Sequence, residues 1–196
     1  MRMDEQELIV KVQEGNEMAF ARIVNIYQHK IVNFLWQLTG DYQKSVELAQ
    51  ETFMRVYFKA NKYKPIAPLS SWIYAIASNL AKTEMKKARR FPSVSFENAE
   101  NNINTKFAYT RNQKNLDLIK DLREAINSLH PRYKIPVILK DIEGFSQEEI
   151  AQILNKPIGT IKARISRGRN YLKKGLEEKS DKINIFKNGE KANGRI

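Results

Sequence analysis

The 196-residue chain contains no cysteine. Disulfides, thiolate metal sites and cysteine nucleophiles are thereby excluded, and nothing points to an oxidising compartment. Histidine is almost as scarce. His29 and His130 are the only two, far apart in sequence, and each reads as an ordinary surface or helix-end residue rather than a metal ligand or general base. There is no glycine-rich loop to cradle phosphate and no HExxH pair. The expectation is no catalytic residue, no metal and no cofactor. No run approaches the roughly 18 apolar residues that span a bilayer, and the stretch Met1 to Glu7 is acidic and polar, unlike a signal peptide. A cytoplasmic protein without membrane insertion is expected. Neither a period-two strand pattern nor an internal repeat stands out.

Acidic residues are under-represented relative to basic ones: 22 Asp and Glu stand against 34 Lys and Arg, a net charge of +12. An excess of that size implies a polyanionic partner, nucleic acid or an anionic surface. The imbalance is local. Residues 1–51 carry eight acids and five bases, whereas residues 52–90 carry nine bases and only Glu84 as an acid. Residues 156–174 hold seven bases and no acid. Two separated basic blocks suit two nucleic-acid contacts better than one diffuse charge.

Apolar residues recur at helical spacing from Leu8 to Val12, Met18 to Leu38, Val46 to Ala60 and Leu69 to Leu80. Gly40, Asp41 and Tyr42 separate the second helix from the third, and Pro65 and Pro68 bound a loop over Asn61 to Ser71. The pattern dissolves after Phe91 into an asparagine-rich stretch, returns near Leu116 and ends near Glu178. The expected architecture is therefore all-α: a helical domain over 1–90, a flexible linker over 91–115, a second small helical domain over 116–178, and a frayed tail over 179–196.

In the second domain, Ser146-Gln147-Glu148-Glu149 has the form of a capping box opening a short helix. That helix stops at Asn155-Lys156-Pro157, and Pro157 is suited to starting the next. There Ile161, Ile165, Gly168 and Leu172 share one narrow face, while Lys162, Ala163, Ser166, Arg167 and Asn170 point away, with Arg164 and Arg169 on the flanks. This is a helix-turn-helix whose second helix offers short and cationic side chains to a major groove. Lys or Arg can donate to guanine, Ala163 can meet a thymine methyl, and Lys173 and Lys174 suit phosphates. The competing reading is a basic amphipathic helix whose charges are merely solvated.

In the first domain, the helix from Gln43 to Asn61 turns Val46, Ala49, Phe53, Val56, Tyr57 and Ala60 inward. Opposite them lie Glu47, Gln50, Glu51, Met54 and Phe58, a mix of acids and large apolar groups that suits a partner surface. Alternatively, Met54 and Phe58 pack on another helix of the bundle. The next helix has a core stripe of Leu69, Trp72, Ile73, Ile76 and Leu80. Tyr74, Ser78, Lys82, Met85, Lys86 and Arg89 are expected to face away, with Lys87 and Arg90 extending the cationic end. Aromatic and cationic groups together suit melted DNA, where bases stack and phosphates pair.

These stretches resemble a known family. The run Glu47-Leu48-Ala49-Gln50-Glu51-Thr52-Phe53-Met54-Arg55-Val56-Tyr57 is similar to the region 2 signature of extracytoplasmic-function sigma factors of bacterial RNA polymerase. So is Trp72-Ile73-Tyr74-Ala75-Ile76-Ala77-Ser78-Asn79-Leu80-Ala81 with the basic run to Arg90. Gly159 to Arg169 resembles the region 4 recognition helix, and Phe145 to Leu154 the helix before it. The resemblance covers roughly residues 5–178. It implies that Glu47, Gln50, Glu51, Met54 and Phe58 meet the clamp helices of the polymerase's largest subunit. The loop Asn61 to Ser71, with Tyr63, Lys64, Ser71, Trp72 and Asn79, would capture a flipped base of the −10 element, repaying the few kcal/mol of unpairing only for the right base. Lys82, Lys86, Lys87, Arg89 and Arg90 would hold the surrounding backbone. Lys162, Ala163, Arg164, Ser166, Arg167 and Lys173 would serve the −35 element as duplex. The linker would thread toward the RNA exit path, and an anti-sigma factor becomes a plausible regulator. Thr83 stands where the family commonly has Asp, Glu47 where Asp is usual, and Ala163 where Ser is common. Thr83 and Ala163 bear on promoter preference.

Two other readings compete. A helix-turn-helix regulator that binds duplex DNA without core polymerase has no use for the face from Tyr74 to Arg90. An enzyme acting on nucleic acid lacks the motifs such chemistry needs.

Overall fold

The computed structural model describes the backbone of residues 4–90 and 113–193 and the side chains of 4–90 and 119–177. The expected linker lies mostly outside the described residues. Eight helices and one 3-10 turn make up the described chain, and no strand occurs among those residues.

The first half holds α1 (Glu5–Gln13), α2 (Glu17–Thr39), α3 (Tyr42–Phe58), a 3-10 turn (Ala60–Lys62) and α4 (Leu69–Arg90). Each boundary has a local cause. Asn16 caps α2 by accepting from the Ala19 amide at 2.9 Å. Gly40 ends it with a φ of 76°, a left-handed conformation that glycine adopts without a Cβ penalty. Asp41 then caps α3 by accepting from the Lys44 amide. Ile23, Tyr27, Ile31, Phe34, Leu35 and Leu38 bury one long face of α2, and α3 and α4 pack along it. Burying a side chain of this size is worth about 1.5–3 kcal/mol, so this stripe anchors the half. Between the 3-10 turn and α4 the chain makes a short exposed loop, tighter than the expected span of Asn61 to Ser71.

The second half holds α5 (Gln113–Ser128), α6 (Pro131–Asp141), α7 (Gln147–Leu154) and α8 (Ile158–Asn193). Pro131 opens α6 at a position where its missing amide costs nothing. Residues Tyr133 to Leu139 are all buried, so α6 is the central strut against which α8 packs. Gly168 makes that approach possible: a Cβ there would lie 2.6 Å from Val137 Cγ2. The backbone of α8 continues as helix to Asn193, through residues expected to form a frayed tail. No proline interrupts residues 158–193, so no residue of that stretch removes a backbone donor from the helix.

The two halves touch. Helix α4 packs on α7, and α2 on α5 and α6, so that the buried apolar groups of both halves form one continuous cluster.

Candidate nucleic-acid and polymerase interfaces

The capping box is formed as the residue types require. The Glu149 amide donates to Ser146 Oγ at 3.1 Å, and the Ser146 amide donates to Glu149 Oε2 at 2.8 Å. Helix α7 ends on Asn155 in the left-handed region, with φ of 47°. After a three-residue turn, α8 begins and completes a helix-turn-helix. Ile161, Ile165 and Gly168 are buried against α6 and α7, while Lys162, Ala163, Ser166, Arg167 and Asn170 stand in solvent and Arg164 is half-buried. The inward and outward faces thus divide as the spacing indicates. Arg169, on the flank, is engaged: its guanidinium pairs with both Asp141 carboxylate oxygens, at 3.0 Å from Nε and 2.5 Å from Nη2. Lys173 lies 3.8 Å from Glu177, a loose exposed pair of little energetic weight.

A shallow depression at the start of α8 is lined by Gly159, Thr160, Ala163, Arg164 and Arg167, and also by Arg132 and Tyr133 of α6. The Arg132 guanidinium sits 4.6 Å over the Tyr133 ring. Spacing within the recognition helix could not bring Arg132 to this site, because it comes from a helix nearly thirty residues earlier.

On α3 the second set of residues lies on the outer face. Glu47 and Gln50 are exposed and Glu51 half-buried, and Met54 and Phe58 are 58% and 77% exposed. Neither large apolar side chain packs into the bundle, which removes the alternative reading of those two positions. Lys44 pairs with Glu47 at 2.5 Å and Arg55 with Glu51 at 2.6 Å, holding the carboxylates in place along the helix.

The third set divides between rim and interior. Lys64, Asn79, Lys82, Lys86, Lys87, Arg89 and Arg90 are exposed. Tyr63 is buried, its ring 5.3 Å from that of half-buried Trp72 and its hydroxyl donating to the Ala67 carbonyl at 2.8 Å. Both rings therefore brace the loop from within, under an Ile66 that is almost fully exposed. Ser71 is buried, and its hydroxyl has no hydrogen-bond partner among the described residues. Thr83 donates its hydroxyl to the Asn79 carbonyl at 3.0 Å, so it shapes the helix rather than presenting a free polar group.

Three positions on α4 depart from the expected outward face, Tyr74, Ser78 and Met85, the last half-buried against the apolar cluster. Tyr74 is 3% exposed and Ser78 is likewise buried. Both halves enclose Tyr74: its ring lies 5.0 Å from that of Phe34 of α2, its hydroxyl donates to Glu143 at 2.5 Å, and its ring meets Phe145 edge-on at 4.8 Å. Burial pushes both the Tyr74 phenol and the Glu143 carboxyl up, the latter against the opposing effect of the Tyr74 hydrogen bond. Lys134 of α6 is buried too, donating to the Leu38 carbonyl at 2.8 Å and to Asn127 Oδ1 at 2.9 Å. Loss of water around its ammonium, with a smaller push from Arg89, lowers its pKa to about 8.

Among the described residues no cluster of His, Asp and Glu could hold a metal ion, and no helix is long and apolar enough to cross a membrane.

The family model for sigma-70 region 2 matches residues 23–91, and that for sigma-70 region 4 matches residues 119–172. The chain is similar to the ECF RNA polymerase sigma factor SigW of Bacillus subtilis, 31% identical across 91% of this chain and all of that one. It is 32% identical to the ECF RNA polymerase sigma-E factor of Escherichia coli, across 87% and 93% of the two chains. Among solved structures, the sigma factor RpoE of Bartonella quintana, in complex with the anti-sigma factor NepR, superposes with a TM-score of 0.63 at 26% identity, covering 81% of this chain and 96% of that one. CnrH, in complex with the cytosolic domain of CnrY, shares the fold with a TM-score of 0.67 at 20% identity, covering 89% and 97%. With both regions matched in order and whole relatives aligned end to end, the chain belongs to the extracytoplasmic-function sigma factors of the sigma-70 family.

Proposed function

We propose that the chain binds core RNA polymerase through the outer face of α3 and directs it to promoters through two DNA contacts, one per half. In this reading residues 1–90 serve the polymerase and the −10 element, and residues 116–178 read the −35 element as duplex. The observation that carries it is the pairing, in one chain, of two surfaces with opposite chemistry. Met54 and Phe58 stand exposed among acids on α3, whereas the outward face of α8 from Lys162 to Arg167 has cations and no acid. A protein that only bound duplex DNA would have no reason to leave two large apolar groups in water. The exposed run from Lys82 to Arg90 supplies phosphate contacts beside the Trp72 loop, where a melted strand is held by charge and stacking. The chain works without catalysis of its own, in the cytoplasm where polymerase and template meet. An anti-sigma factor is the expected regulator, on the likeness to the Bartonella sigma factor solved with one.

The test separates the two surfaces. Gln50→Lys with Glu51→Lys should abolish capture of core polymerase while leaving the circular dichroism spectrum intact. Lys162→Ala with Arg167→Ala should spare polymerase capture and remove promoter-selective transcription. The same defect from both pairs would refute the division of labour.

A further inference from the structure

Helix α1 carries none of the residues assigned to polymerase or DNA, yet it ties down the loop between the 3-10 turn and α4. Gln13, half-buried at the end of α1, donates from Nε2 to the Ala60 carbonyl at 2.9 Å and to the Tyr63 carbonyl at 3.3 Å. A side-chain amide nitrogen carries two hydrogens, so one group serves both ends of the turn at once. The other foot of the loop meets the same helix. Buried Tyr27 of α2 hydrogen-bonds both Glu5 of α1 and Ser70, the second residue of α4. Leu8, Ile9 and Val12 bury the inner face of α1, so both ties hang from an anchored helix.

From Gln13 the constraint passes into the loop. Tyr63, held through its carbonyl, donates its hydroxyl to the Ala67 carbonyl at 2.8 Å and packs its ring 5.3 Å from that of Trp72. The Ile66 amide donates to the Lys64 carbonyl at 2.8 Å, and Pro65 and Pro68 fix two further backbone angles. Lys64, Pro65, Ile66 and Pro68 therefore stand exposed on a backbone with little freedom left. Telling one unstacked base from another demands such rigidity. A loop free to rearrange would refit itself to a wrong base, and would lose its freedom on binding even the right one.

We propose that Gln13 is a positioning residue for the −10 element: it holds the loop from Tyr63 to Pro68 in its base-reading shape from behind. The proposal rests on the sigma-factor reading of that loop. The bracing itself rests on the hydrogen bonds alone.

Gln13→Met keeps the length of the side chain and removes both donors. In the free full-length chain, amide hydrogen exchange over residues 61–67 should accelerate several-fold, while the amides of α2 and α3 keep their rates. The functional probe is a single-stranded deoxyoligonucleotide selected from a randomised pool by holoenzyme reconstituted from the unmodified chain and core polymerase. Gln13→Met should leave core capture and duplex binding by α8 unchanged. It should cut several-fold the preference of holoenzyme for the selected strand over strands with one base changed. Ile31→Val, which trims a fully buried side chain of α2 and lowers global stability, should leave that preference intact. An unchanged preference in Gln13→Met, at whatever exchange rate, would overturn the positioning role. So would a lost preference with loop exchange unaltered, or an equal loss in Ile31→Val. An unmodified holoenzyme that forms but enriches no strand would refute the −10 reading of the loop, and the role of Gln13 with it.

Discussion

Gly168→Ala measures how closely the recognition helix is seated. Glycine in the middle of a helix normally costs about 1 kcal/mol relative to alanine, so at an open position the substitution would stabilise by that amount. Here the new Cβ would stand 2.6 Å from Val137 Cγ2 and 3.4 Å from Tyr133 Cβ. Val137 is β-branched, buried and part of a helix that is itself enclosed, so it has no free rotamer to retreat into. Overpacking of this kind costs about 1–3 kcal/mol, which outweighs the helix gain and leaves a net loss of about 1 kcal/mol. Val137→Ala alone should cost about 1.5 kcal/mol for the two methyl groups withdrawn from the core. The double variant refills that space with the alanine methyl. It should be more stable than the sum of the singles by at least about 1 kcal/mol. Urea unfolding followed by far-ultraviolet circular dichroism gives all four corners of the cycle. Because α8 is pushed off α6 in the single variant, its affinity for duplex should fall and recover in the double. Additivity within about 0.5 kcal/mol, or a Gly168→Ala that stabilises, would refute the account of why glycine stands there.

Lys134 gives a pH signature. Its pKa is lowered in the folded chain to about 8 from 10.5. The folded state therefore resists the proton, and stability should rise between about pH 8 and pH 10.5 by about 3 kcal/mol and be lost again as pH falls through 8. Lys134→Met should flatten that rise, and parallel curves for the two proteins would contradict it. Ser146→Ala removes one half of the capping box and should cost about 1 kcal/mol in unfolding free energy, with Ser146→Asp recovering most of it. Lys174→Ala should reduce the slope of log affinity against log salt for duplex binding by about one. A slope unchanged by the substitution would remove Lys174 from the phosphate-facing surface.

Much of the site is written locally. A capping box needs only four consecutive residues, and Ser146 and Glu149 form it as their types require. The inward face of α8 follows from a 3.6-residue period, and Ile161, Ile165 and Gly168 obey it. The same holds on α3, where Ala49, Phe53 and Val56 turn inward and Met54 and Phe58 stay outside. Periodicity says which residues share a side of a helix. It does not say how many sides are covered. On α4 Leu69, Ile73 and Leu80 are buried as read while Trp72 and Ile76 are only half-buried, and Tyr74, on the other side, is enclosed both by Phe34 of α2 and by Phe145 from seventy residues further on. Tyr63 and Ser71 likewise turn inward where a loop was expected to present them.

By itself the sequence determined the all-helical class, the helix-turn-helix and the chemistry of the α3 and α8 faces, because caps, periods and charge runs act within a few turns of one helix, and its longer motifs carried the resemblance to the family. Only the tertiary structure decided that Lys134 of α6 would be buried against the end of α2, that Arg132 would join the recognition helix, and that Glu143 and Phe145 would close over Tyr74. Those outcomes depend on which surfaces meet at long range, and the energy that selects them comes from burial and desolvation that no local spacing encodes.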